Sequence, residues 1–110
     1  MTGAQNRSKG IRFERAIARW MRTVTTRSIS QGSHVDRGDV VLPGHHVECK
    51  DVGRWTVGEW FAKAEDLAQD DTPVLVLKRR GRPVGDALVV QRLSDYWPDG
   101  GPDTELRSVE

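Results

Sequence analysis

Asp39, Glu48 and Lys50 are the residues whose types and spacing suit chemistry best. Pro43-Gly44, the preferred pair for the centre of a type II turn, separates two extended runs, residues 39–42 and 45–52. A hairpin closed symmetrically about that pair sets Leu42 opposite His45 and Asp39 opposite Glu48. Directly opposed residues share a face with Cβ atoms about 4.5–5.5 Å apart, and like charges there destabilise the pair unless something compensates them. A divalent cation is such a compensation. By the two-residue period of a strand Lys50 joins the face of Glu48, whereas Val47 and Cys49 point the other way. Mg2+ takes oxygen ligands in an octahedron, typically one or two carboxylates with waters and phosphate oxygens, and Mn2+ is also possible. The backbone carbonyl of Cys49 is available to complete the shell. Such an ion acidifies a water and polarises a phosphate, while Lys50 orients the attacking hydroxide or offsets charge on phosphorus. The chemistry is that of a phosphodiesterase. Glu14, the only acid in residues 1–33, lies beside the apolar stripe of a first helix, in reach of the metal or its water.

The elements that must position these groups are legible in part. In residues 8–21 the apolar positions Phe13, Ala16, Ile17, Trp20 and Met21 recur at helical spacing and predict an amphipathic helix with basic outer faces. Residues 24–30, rich in Thr, Ser and β-branched types, read as a strand, and 31–38 as a loop. Thr56 to Glu59 has the pattern of a capping box, and Val57, Trp60, Phe61, Ala64, Leu67 and Ala68 form a second helical stripe ending near Asp70. Residues 74–77 are continuously apolar, as in a strand buried on both faces, so strand, helix and strand imply a right-handed crossover to a parallel neighbour. A basic loop (78–85) and a last strand (87–90) complete the order α β β β α β β, a small mixed β-sheet flanked by helices in one α/β domain over 8–97. Residues 1–7 read as a flexible N-terminus, and 98–110 as an acidic flexible tail.

Composition narrows the function classes. Of 110 residues 36% are apolar and 30% charged, which suits a single small domain. The net charge of +1 conceals an asymmetry: residues 1–33 carry seven basic and one acidic side chain, residues 94–110 one basic and five acidic. The lone Cys49 precludes an intrachain disulfide, making a reduced intracellular compartment the default. No apolar run approaches the roughly 20 residues of a membrane span, and the basic start lacks a signal-peptide core. Two basic clusters suit phosphate contacts: Lys9, Arg12, Arg15 and Arg19 on the first helix, and Lys78, Arg79, Arg80 and Arg82 after the buried strand. Arg27 and Lys63 are further candidates for DNA contact. No helix with a base-reading motif is evident, so binding through backbone and shape is expected.

Four pieces of the chain resemble the PD-(D/E)XK nuclease superfamily, and within it the archaeal-type Holliday junction resolvases and their phage relatives. Lys9, Gly10, Glu14 and Arg15 match that family's opening helix, Gly38-Asp39 its metal-binding aspartate, Glu48-Cys49-Lys50 its E-x-K element, and TPVLVLKRRGR (72–82) its strand and basic segment after the second helix. The resemblance covers residues 8–90. It implies a restriction-endonuclease-like core, with Asp39, Glu48 and the Cys49 carbonyl as metal ligands, Lys50 as catalytic lysine and Glu14 as accessory carboxylate. It further implies a homodimer cutting four-way DNA junctions by paired nicks in a bacterial or phage-infected host cytoplasm. Two departures stand out: Gly38 replaces the motif's nominal proline, and Lys63 stands where many relatives carry glutamine.

Plainer readings compete. Asp39, Glu48 and Lys50 could form a solvated face with an ordinary salt bridge, and Glu14 could pair with an arginine on its own helix. Trp20 and Trp60 fall on core stripes and suit packing better than base stacking. His34, His45 and His46 lack zinc-site spacing, although His46 shares the parity of Glu48. The alternatives at the level of function are a general nuclease of the same fold acting on flaps, ends or replication intermediates, and a DNA-binding module that does not cut.

Overall fold

The computed structural model describes residues 3–29 and 38–100. A three-stranded mixed sheet runs in the order β1 (His45–Lys50), β2 (Thr72–Leu77), β3 (Leu88–Val90), with β2 parallel to β1 and β3 antiparallel to β2. Helix α1 (Gly3–Trp20) packs on one face and α3 (Val57–Ala68) on the other; short helices α2 (Thr26–Ile29) and α4 (Leu93–Tyr96) lie before and after the sheet in sequence. This is an α/β domain whose central strand, from Pro73 to Leu77, is buried throughout, as its unbroken apolar run requires. The β1–α3–β2 unit supplies the expected parallel pairing. Pro73 is tolerated because alternate donors of β2 turn to β1, as Thr72 N–H does to the Gly44 carbonyl, while pairing with β3 starts only at Leu75.

One core lies between α1 and the sheet: Phe13, Ile17, Ala18, Val40, Val47, Val74 and Val76, with Cys49 and Met21 partly buried against it. Ala64, Ala68 and Leu75 are buried beneath α3. The stripe of α1 is therefore real at Phe13 and Ile17, but Trp20 is 65% exposed, contrary to the core packing its spacing predicts. It closes the last turn of the helix, where its ring edge rests against Gly85 instead of entering the core. The helix also begins at Gly3, so residues 3–7 are helical where the sequence reads as an irregular start.

The expected five strands become three. Residues 24–29 form no strand: Thr25 makes one isolated antiparallel bridge to Val40, and Thr26–Ile29 is a single helical turn. Val24 and Ile29 are exposed while the consecutive Thr25 and Thr26 are both buried, so burial does not alternate as a strand requires. Residues 39–42 likewise contribute only bridges, Val40 to Thr25 and Leu42 to His45. The hairpin register is as expected at Leu42–His45 and fails before it, because Val40 turns to Thr25. The capping box is not made either: Thr56 occupies the N-cap of α3 without a side-chain hydrogen bond. Ser30, the loop at 31–37 with His34, and the tail from 101 to 110 lie outside the described residues. No helix among the described residues is long and apolar enough to cross a membrane.

Candidate active site

Gly38 brings Asp39 to β1. Its φ of +84° is in the left-handed region, and a Cβ there would stand 2.5 Å from the Val47 carbonyl oxygen and 2.7 Å from its nitrogen. Only glycine fits, and proline, locked near φ −65°, does not. Gly38→Ala is expected to cost about 3 kcal/mol, a fall in melting temperature of more than about 10 °C. Gly44→Ala is the control: its φ is also positive, at +78°, but nothing lies within 4 Å, so about 1 kcal/mol is expected. Equal shifts in thermal melts would refute the steric argument.

Asp39 is then tied to the outer edge of β1 by two bonds. Its N–H donates to the Val47 carbonyl at 2.6 Å, and its Oδ2 accepts the Cys49 N–H at 2.8 Å. These bonds replace the direct opposition of Asp39 and Glu48 that a symmetric hairpin predicts, yet the two carboxylates still meet. Asp39, Glu48 and Lys50 line one cavity of about 150 Å3 with Trp60, Lys63, Ala64 and Leu67 of α3. That volume has room for several waters beside the carboxylates. Burial and the neighbouring Glu48 charge push the Asp39 carboxyl up to about 7, against an opposing contribution from the Cys49 N–H. Burial also pushes the Cys49 thiol upward, helped by Asp39, Glu14 and Glu48, so its sulfur is a neutral packing group and no thiolate ligand.

His46 is the residue that reasoning from sequence undervalued. It is 1% exposed, and its Nε2 lies 2.7 Å from Glu48 Oε1. The hydrogen bond holds one oxygen of Glu48 in place. Shared strand parity was the available signal; burial of a histidine in a core position is invisible to hydropathy. Lys50 is held from the other side, its Nζ 5.7 Å from the ring centroid of Trp60, within cation–π range. Trp60 is thus half-buried against a lysine rather than a simple core residue.

Glu14 is 5% exposed, and both its oxygens face Arg27: Nε donates to Oε2 at 2.7 Å and Nη2 to Oε1 at 3.3 Å. Its partner comes from α2, not from its own helix. Glu14 also raises Asp39's affinity for a proton, which places it in the electrostatic field of the site.

The basic residues divide into separate groups. Lys63 faces the carboxylate cavity. Arg12, Arg15 and Arg19 border a cavity of about 560 Å3 with Thr23, Thr25 and Ser28. Lys9 and Lys78 flank Asp51, at 3.6 and 3.7 Å, and Arg82 lies 3.6 Å from Asp86. Arg79 is half-buried, and Arg80 reaches over Gly53.

For a divalent ion the donors are Asp39, Glu48 and a backbone carbonyl. In a strand the N–H and C=O of one residue point to the same edge. Lys50 C=O bonds Lys78 on the β2 side, while Cys49 N–H faces Asp39, so the Cys49 carbonyl points to the open edge beside Asp39. Among the described residues no group of three or more His, Cys, Asp or Glu side chains is arranged to hold a metal. Two carboxylates and a carbonyl, with remaining positions for water and phosphate, nonetheless form a donor set that Mg2+ accepts.

An α/β domain with a paired-carboxylate and lysine cavity at the edge of its sheet is what fold and geometry define. No family model matches the chain, and no curated protein or solved structure matches it.

Proposed function

We propose that the protein is a Mg2+-dependent endodeoxyribonuclease with a restriction-endonuclease-like core, of the Holliday junction resolvase type, acting on branched DNA as a homodimer. One observation carries the reading: Asp39, Glu48 and Lys50 share one cavity in which the Asp39 carboxyl is driven up to about 7 by burial and like charge. Carboxylates forced together at an energetic cost mark a site built for a cation. Asp39, Glu48 and the Cys49 carbonyl would hold the ion, which when bound neutralises the carboxylates and acidifies water for attack on phosphorus.

The chain's own groups do the rest. His46 fixes Glu48, and the Cys49 N–H fixes Asp39. Lys50, steadied over Trp60, presents an ammonium to a phosphate oxygen and offsets the charge that develops there; Lys63 supplies a second cation in the same cavity. With both oxygens bonded to Arg27, Glu14 acts on Asp39 through its charge, not as a direct ligand. The Arg12, Arg15 and Arg19 row suits phosphate contact without base reading.

The test incubates the purified protein with labelled four-way junction and matched linear duplex in Mg2+, Mn2+ or EDTA. Paired nicks at the junction in Mg2+ and none in EDTA are expected, together with a solution mass of two chains, since a two-fold dimer places symmetric nicks. Equal cutting of duplex would indicate a general nuclease acting on flaps or ends, and binding without cutting in either metal a DNA-binding module. Lys50→Met is expected to slow cutting by about 100- to 1,000-fold with junction binding retained; a loss below tenfold removes Lys50 from catalysis.

A further inference from the structure

A second cavity, of about 350 Å3, opens between α1 and the chain leaving β1 and β2, with Lys9, Arg12, Asp51, Lys78 and Arg82 on its walls. Four cations surround one carboxylate. The Asp51 side chain is only 11% exposed, with Oδ1 3.6 Å from Lys9 Nζ and Oδ2 3.7 Å from Lys78 Nζ. A fully formed lysine–carboxylate hydrogen bond closes to about 2.7–2.9 Å, and here neither does; Asp51 Oδ2 is buried with no hydrogen-bond partner. Burying an acceptor without a donor is costly, so the carboxylate is poorly satisfied where it sits. Arg82 is drawn off in part by Asp86. The cavity retains an excess of positive charge around an anion that fits it loosely.

We infer that this cavity is a second phosphate-binding site for a nucleic-acid backbone, and that Asp51 is its built-in occupant, which an incoming phosphate displaces from Lys9 and Lys78. The inference rests on the nucleic-acid reading above but not on cleavage. A backbone phosphodiester matches the carboxylate in charge and in its two strong acceptor oxygens, but unlike Asp51 it is not tethered to the end of β1, so the two lysines, on flexible stems, can close on it. Asp51 directly follows Lys50, so the cavity against α1 and the carboxylate cavity under α3 are joined by one peptide bond at the end of β1. A backbone held in both would pass around the end of the sheet, and Asp51, which must be displaced first, weakens that hold.

The test is equilibrium binding of labelled linear duplex in EDTA across a series of NaCl concentrations, for the full chain and three variants. Asp51→Asn is expected to bind about tenfold more tightly near 0.1 M salt, with a log–log salt slope steeper by one to two, since each added phosphate contact contributes about 0.9 to the slope. Lys9→Ala/Lys78→Ala is expected to bind more weakly with a shallower slope, and adding Asp51→Asn to that pair to give no gain. Unchanged or weaker binding by a folded Asp51→Asn protein, or a gain that persists without the lysines, overturns the inference. If Asp51→Asn does not fold, the lysine pair decides, an unchanged slope being refutation. Cutting is scored separately: junction cleavage without the Asp51 effect leaves the nuclease standing and removes this site, whereas the Asp51 effect without cleavage does the reverse.

Discussion

An Asp39→Asn protein is expected to cut junctions about a thousandfold more slowly than wild type, and to be the more stable of the two at pH 8. The stability gain follows from the raised carboxyl. In the folded protein Asp39 holds its proton up to about pH 7, whereas in the unfolded chain it releases it near 3.8. Between those limits the native state binds more protons than the unfolded state, so stability falls as pH rises through the window and is lowest above it. The shift corresponds to something on the order of 4 kcal/mol. Asparagine removes the charge and fits the same contacts, its carbonyl oxygen accepting the Cys49 N–H and its amide able to donate toward Glu48. We expect about half of that free energy to be recovered, near 10 °C in melting temperature at pH 8, with wild type and variant converging below pH 4. Mg2+ is expected to raise the melting temperature of wild type at pH 8 and not that of the variant. Melts at pH 4, 6 and 8 with and without Mg2+ check this; an Asp39→Asn protein that melts lower than wild type at pH 8 would falsify the account of a repulsive carboxylate pair.

How much of this site could be read in advance depended on how local its causes are. Strand parity is a property of consecutive residues, so the division of β1 into Glu48 and Lys50 on one face and Val47 and Cys49 on the other was legible. The same holds for the apolar run of β2 and the stripe of α3, whose periods survive any tertiary arrangement. Residues 24–29 and 39–42 have patterns that suggest longer strands, yet 39–42 divides its partners between Thr25 and β1, so each pairing stops at a single bridge. The approach of Asp39 to β1 depends on a positive φ at Gly38, which glycine permits but does not announce.

Interactions between distant residues left still less trace. Lys9, Asp51 and Lys78 are ordinary charges in sequence and become a cavity only when the ends of β1 and β2 are set beside α1. Their sequence places Lys9 and Lys78 in two basic clusters, and only the fold sets a carboxylate between them. His46 and Glu48 could be placed on one face by parity, but not with the histidine buried and bonded to the carboxylate. In each case the residue type was visible and its partner was not.

Arg27 gives the second large effect, because its sequence suggests a surface cation for DNA while its position makes it the counter-charge of a buried acid. The Glu14 side chain is 6% exposed and that of Arg27 58%. Hydrogen bonding to Glu14, then its charge, holds the Arg27 guanidinium more firmly protonated, and Asp39 adds a smaller contribution. Arg27→Met leaves a buried carboxylate without its partner, next to two more at Asp39 and Glu48. Loss of a partner from a fully buried pair costs about 3–5 kcal/mol; because Arg27 is more than half exposed, solvent screening reduces the expected cost to about 2 kcal/mol. Glu14→Gln with Arg27 intact is expected to cost less, since the amide oxygen still accepts from the guanidinium, whose remaining N–H groups reach solvent. The double variant Glu14→Gln/Arg27→Met is expected to recover most of the loss, giving a coupling energy above about 1 kcal/mol in a double-mutant cycle. If Arg27 is only a DNA contact, Arg27→Met leaves the denaturation midpoint unchanged, lowers junction affinity and makes its salt slope shallower by about one. Denaturant melts and binding on the same four proteins separate the two roles, because a buried ion pair registers in the first measurement and a phosphate contact in the second.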